Sequence, residues 1–201
     1  MRELQRCLML LVVCLAVACG GSGSGSGNGS TATTGGIDSI GLQGADIPSG
    51  LTRCSNSGDV SKSTDQNVTG EWQFQQKAGA IAGYMTVYAG SSGDCTSFIL
   101  ATNGAKGKVL GSIVVQYKDE ASAKAAYDGG IFGANASDIN SKMLAAQGTT
   151  TGLGANSTYA FAAPFGVAVW ADKTYVLAVV ADNLGEADLK KASTNINGRI
   201  H

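Results

Sequence analysis

The chain has 201 residues, with 14 Lys and Arg against 15 Asp and Glu, a formal charge of −1, 29 Gly, 5 Cys and a single His. That length suits one domain of ordinary size, and a balanced charge without blocks of like sign argues against nucleic acid or an anionic surface as partner. The histidine is the last residue, His201, so a Ser-His-Asp relay, a Cys-His pair or a multi-histidine metal site would have to be built from the chain end.

The first residues have the three-part organisation of a secretory signal: Arg2 and Arg6, an apolar run over residues 7–18, then Cys19-Gly20-Gly21. At 1.5 Å per residue the run covers roughly 18 Å, short of the roughly 30 Å of a bilayer core, so residues 1–18 read as a signal peptide and not as a spanning anchor. Ala16-Val17-Ala18 suits an ordinary signal peptidase, while Leu15-Ala16-Val17-Ala18-Cys19 resembles the lipobox of bacterial lipoproteins. Ala16 stands where that family more often has Leu. The resemblance implies that Cys19 carries a diacylglycerol thioether and becomes the first residue after cleavage, its amine often acylated as well. It also implies an extracytoplasmic place on the cell membrane or outer membrane, held there through the lipid on Cys19. Gly20 lacks the Asp that in enteric bacteria retains lipoproteins at the inner membrane, which favours the outer one where two membranes exist.

Cys7 and Cys14 leave with the signal and Cys19 takes the lipid, so Cys54 and Cys95 remain. An exported chain folds under oxidising conditions, and the two are expected to form a disulfide. A reactive thiol at either position would lack both C-x-x-C spacing and a neighbouring histidine. Residues 20–36 contain only Gly, Ser, Thr, Ala and one Asn, with 8 glycines in 17 positions. Such a chain has nothing to bury, and residues 19–36 read as a lipidated cysteine on a flexible tether with a root-mean-square span of about 23 Å.

Residues 37–201 read as a single α+β domain. Residues 47–60 are turn-rich and should form an irregular lead-in held by Cys54. A strand is expected over 81–89, with Ile81, Met85 and Val87 on one face and Tyr84, Thr86 and Tyr88 on the other. Asp94 should cap a short helix ending near Asn103-Gly104, followed by a strand over 109–117. Asp119 should cap a helix over 120–127 that ends at Gly129-Gly130. A helix near 137–147 and a turn at Gly152-Leu153-Gly154 come next. Strands are expected over 158–162, 166–171 and 174–181, the last two joined tightly through Asp172-Lys173. In the last strand Val176, Ala178 and Val180 alternate with Tyr175, Leu177 and Val179, so both faces are apolar and the strand should be central. Asn183 should cap a final helix carrying Leu184, Ala187, Leu189, Ala192 and Ile196. The expected architecture is an antiparallel sheet with helices on one face, and the order strand, strand, helix occurs twice, which suggests two related halves.

No candidate site carries strong chemistry. Asp182, Glu186 and Asp188 around Gly185 resemble an oxygen-rich calcium loop, but a capped helix start with acids in its first turn explains the same letters, and no metal is expected. Gly104-Ala105-Lys106-Gly107-Lys108 fails the phosphate-loop spacing and reads as a turn. Gly90-Ser91-Ser92-Gly93 lacks the spacing of a nucleophile elbow. Trp72, Tyr84, Tyr88, Trp170 and Tyr175 could line a sugar or peptide groove, although strand aromatics usually belong to cores. Asn67-Val68-Thr69, Asn135-Ala136-Ser137 and Asn156-Ser157-Thr158 match glycosylation acceptors and read as polar surface turns. The sequence thus points to a non-catalytic binding or interaction module for an envelope protein or small solute, without cofactor. A structural role in envelope assembly is the alternative. A cell-wall enzyme drawing on Glu71, Glu120, Glu186 and the aspartates is the weaker one, and it requires two acids about 5–10 Å apart in one cleft.

Overall fold

Strands Val109–Tyr117 and Tyr175–Asp182 are apolar on both faces, and in the computed structural model, which describes residues 36–96 and 106–200, they lie side by side at the middle of the sheet. The strands are β1 (Thr52–Arg53), β2 (Gly58–Asp59), β3 (Ala80–Ala89), β4 (Val109–Tyr117), β5 (Ala145–Gln147), β6 (Asn156–Ala162), β7 (Phe165–Asp172) and β8 (Tyr175–Asp182). They form an antiparallel sheet in the order β1-β3-β4-β8-β7-β6-β5, with β2 also on β3. The helices are α1 (Gln66–Lys77), α2 (Glu120–Gly129), α3 (Ala136–Lys142) and α4 (Glu186–Gly198). This is the α+β architecture expected.

The helices divide between the two faces of the sheet, which differs from the one-face arrangement expected. On the first face Val68 and Trp72 of α1, Ala123 and Ala126 of α2 and Ile139 of α3 pack with Met85, Ile113, Val167 and Ala178. On the second, Leu189, Ala192 and Ile196 of α4 pack with Leu110, Trp170, Leu177 and the leading residues Ile40 and Leu42. The physical reason lies in β4 and β8: a strand with apolar residues in both registers must be covered on both sides. The strand-strand-helix order does occur twice, as β3-β4-α2 and β7-β8-α4, but the two helices occupy opposite faces, so the halves do not repeat in space.

Local chemistry accounts for most element boundaries. Asp119 accepts the N–H of Ser122 and starts α2 as expected, and Asn135 accepts from Ser137 and Asp138 to start α3. Helix α3 stops at Lys142, because residues 145–147 pair with β6 as an edge strand. The final helix begins after Gly185 and not at Asn183. Asp188 accepts the Gly185 N–H, while Asn183, at φ 54°, donates its amide to the carbonyl of Gly107. The last hairpin turns through Lys173 (φ 52°) and Thr174, one residue later than expected. Ile81 is exposed, because a bulge between Ala80 and Ala82 turns it out of the row shared by Met85 and Val87. Helix α1 was not expected at all: Asp65 caps it, but only Val68, Trp72 and Gln75 are buried.

Cys54 and Cys95 are joined by a disulfide closing a sequence separation of 41. The carboxylate of Asp94 accepts the Ser91 hydroxyl and the Gly107 N–H, and those hydrogen bonds, the hydroxyl's first, hold it below the usual carboxylate range. The helix expected after Asp94 falls mostly on residues outside those described, as do the expected signal peptide, the expected lipidation site Cys19 and nearly all of the expected tether. No described helix is long and apolar enough to cross a membrane.

Candidate functional site

Between α2 and α3 the chain makes a tight excursion over residues 130–134, and this excursion forms one wall of a pocket of about 220 Å³ on the first face of the sheet. The floor is aliphatic: Ile113 of β4, Val167 of β7, and Ala178 and Val180 of β8. Antiparallel register places them together, since Ile113 stands opposite Ala178 and Val167 opposite Val180. Ile139 and Met143 close a second side, and Phe132 and Phe165 stand half-buried beside the opening. Asn135, Asp138 and Lys142 supply the polar rim, with Asp138 and Lys142 paired at 3.8 Å.

The wall is built from backbone conformations that few residues adopt freely. Gly130 has φ 90° and Gly133 φ 81°, and a Cβ on Gly130 would come within 2.9 Å of Asn135 Cβ. Phe132 sits at φ 45°, a strained value for a bulky side chain that must be held from outside. Helix α1 supplies the hold. Glu71 Oε1 accepts the Phe132 N–H at 3.1 Å, and Gln75 Nε2 donates to the Gly130 carbonyl at 3.2 Å and to Glu71 at 2.6 Å. Beneath them the Tyr117 hydroxyl donates to Gln75 Oε1 at 2.6 Å. Burial, reinforced by the charge of Glu71, raises the Tyr117 phenol well above its ordinary range, which keeps it a donor at any physiological pH. A buried polar network that is fully partnered fixes one arrangement, and here it fixes the pocket wall.

Replacing Glu71 by Ala removes the acceptor of the Phe132 amide. About 2 kcal/mol of local stability should be lost, read as roughly 30-fold faster amide exchange at Phe132 while the central β4 amides keep their protection. Unchanged exchange at Phe132 would show that the loop holds itself.

Of the residues singled out in the sequence, the structure brings few together. Trp72 packs on the first face against Gly83, whereas Trp170 is fully buried on the second, and Tyr88 and Tyr175 lie with it. Tyr84 accepts a hydrogen bond from Arg53. Trp72 and Tyr84 share a surface hollow with Asp59, Gln76 and Ile81, but Tyr88, Trp170 and Tyr175 lie with the second core, so the five do not line one groove. Glu71 is engaged by α1 and the pocket wall, Glu120 begins α2, and Glu186 begins α4 across the sheet. Among the described residues no group of three or more acids, cysteines or histidines is placed to hold a metal. Asn67 lies within α1, Asn135 caps α3 and Asn156 opens β6, so none of the three acceptor patterns is a simple surface turn. The pocket itself was not read from the sequence. Its one local signal is the close spacing of Gly129, Gly130 and Gly133 around Ile131-Phe132.

No protein-family model matches the chain, and no curated protein does. Among solved structures it is similar to the extracellular domain of PknH from Mycobacterium tuberculosis, at 10% sequence identity and a TM-score of 0.42, over 81% of this chain and 93% of that one. A likeness of this degree carries no argument about function, and the functional reading rests on the residues themselves.

Proposed function

We propose that the protein is a lipid-anchored extracytoplasmic lipoprotein whose domain is a non-catalytic binding module. The observation that carries binding is the aliphatic pocket over Ile113, Val167, Ala178 and Val180, with a wall fixed in advance by Glu71 and Gln75. Small-molecule sites are typically concave, mostly apolar and largely pre-formed, with a few polar groups at the rim, and pre-organisation lowers the cost of binding. Anchoring rests on Leu15-Ala16-Val17-Ala18-Cys19. The Cys54–Cys95 disulfide supports export, because such bonds persist mainly in oxidising compartments. The glycine-rich tether then holds the domain off the membrane without orienting it.

In living cells Cys19→Ala should abolish metabolic lipid labelling and release the domain from the membrane fraction. Retained label and retained membrane association would overturn the anchor. A photo-crosslinker placed at Lys142, on the pocket rim, should capture a small molecule or an envelope partner in intact cells. Labelling no different from that of a crosslinker on the far face, at Lys190, would overturn the binding role of this pocket.

A further inference from the structure

We infer that the pocket takes the end of a linear saturated hydrocarbon chain of about nine carbons whose polar head is small and uncharged. The size follows by proportion: a cavity of about 150 Å³ lined by aliphatic and aromatic side chains holds benzene, and this one is about 220 Å³. The class follows from the lining. Ile113, Ile139, Val167, Ala178 and Val180 present only methyl and methylene groups, so a ligand atom that needs a hydrogen bond would go unpartnered at the bottom. Every polar side chain stands at the rim on or just before α3. A ligand there must be apolar at one end and polar at the other.

The head follows from charge. Lys142 is the cation of the rim, and Asp138 lies 3.8 Å from its ammonium, so the pair offers no net charge to an anionic or cationic group. The side-chain oxygen of Asn135 accepts from Ser137 and Asp138, and its amide donates to Gly129, leaving it committed to the turn. A hydroxyl or ester head that keeps its own water is the group this rim accommodates. Met143, unbranched and polarisable, beside the floor suits a flexible chain more than a rigid ring system. The inference rests on the proposed binding role, and on the tether it implies, whose root-mean-square span of about 23 Å holds the domain near a lipid surface, a source of hydrocarbon chains.

The test is a chain-length series. The exported full chain carrying Cys19→Ala, purified without detergent, is titrated calorimetrically with alkanols and alkanoates of about six to fourteen carbons. Affinity should rise about fourfold for each added methylene, then level off near nine carbons as further methylenes remain in water. The alkanol should bind at least about threefold more tightly than the alkanoate of equal length, since the paired rim offers a carboxylate no counter-charge against its partial desolvation. Val180→Phe, which fills the floor from a half-buried position, should weaken the best chain by at least about tenfold. Lys190→Ala, exposed on α4 at the far face, should leave alkanol affinity unchanged. An affinity independent of chain length, an alkanoate bound as tightly as the alkanol or more so, or tighter binding of an aromatic of equal carbon number would overturn the inference. If no amphiphile binds but the Lys142 crosslinker captures a protein in cells, the chain ligand is wrong and the binding role stands. If both fail, the binding role falls with it.

Discussion

Replacing Arg199 by Ala is expected to cost about 3 kcal/mol of folding stability, among the largest effects of any single substitution at a polar residue in this protein. Arg199 follows α4 and reaches back across the second face to the first residues of the domain. Its guanidinium donates to the carboxylate of Asp46 and to the carbonyls of Ile40 and Gly41. Asp46 is fully buried, with 0% of its side chain exposed, while Arg199 keeps 25%. Removing the arginine therefore leaves a buried carboxylate with only the Gln43 N–H and the Asn195 amide as donors. The penalty for such an uncompensated charge exceeds the net worth of the pair. The partial exposure of Arg199 and those two remaining donors put the expected cost at the low end of the usual range. Urea unfolding should show a lower midpoint with an unchanged slope, and Asp46→Ala combined with Arg199→Ala should cost less than the sum of the single changes. A loss below about 1 kcal/mol would mean that the pair behaves as an ordinary surface bridge.

The disulfide should contribute about 4 kcal/mol, from the chain-entropy relation applied to a loop of 41 residues. That loop includes β2, α1 and all of β3, so the bridge constrains the unfolded chain across the segment that supplies both Glu71 and Gln75 to the pocket wall. Unfolding of the double variant Cys54→Ala, Cys95→Ala, compared with the oxidised chain, measures it. The same loss should appear when the parent protein is unfolded in reductant, and agreement between the two would separate the cross-link from the packing of Cys54. Cys54 is itself 4% exposed and its N–H donates to Val87, so the alanine variant adds a small packing cost. A difference under about 1 kcal/mol would mean that the reduced chain is already held by the contacts of β3.

How far the sequence led can be judged from particular elements. Strands β4, β7 and β8 and helix α2 were legible because a single local signal sufficed: β-branched runs, a tight turn, and Asp119 ahead of an alanine-rich segment. Helix α1 was not. Its buried side contains Gln75, which reads as surface in a sequence and is buried here because Tyr117, Glu71 and Gly130 satisfy its amide. The residues from 137 onward read as a longer helix because nothing local distinguishes a helical Ala145 from one paired to Ala160 on an edge strand. Ile81 was misplaced for a similar reason, since one extra residue in a bulge reverses the facing of a side chain and leaves no trace in alternation.

The sequence by itself carried the signal-like pattern of residues 1–18, the lipobox resemblance, the glycine-rich composition of residues 20–36 and the antiparallel α+β character, and it named Cys54 and Cys95 as a pair by elimination. These follow from composition and short-range pattern, which tertiary contacts do not alter. Only the tertiary structure decided that α4 packs on the second face, that Arg199 pairs with Asp46, 153 residues earlier in the chain, and that Ile113, Val167, Ala178 and Val180 form one floor. Those residues come from three strands brought together by register, and the wall above them is held by a helix some sixty residues earlier in the chain. A pocket is a property of where several elements meet, and no one segment of sequence carries that information.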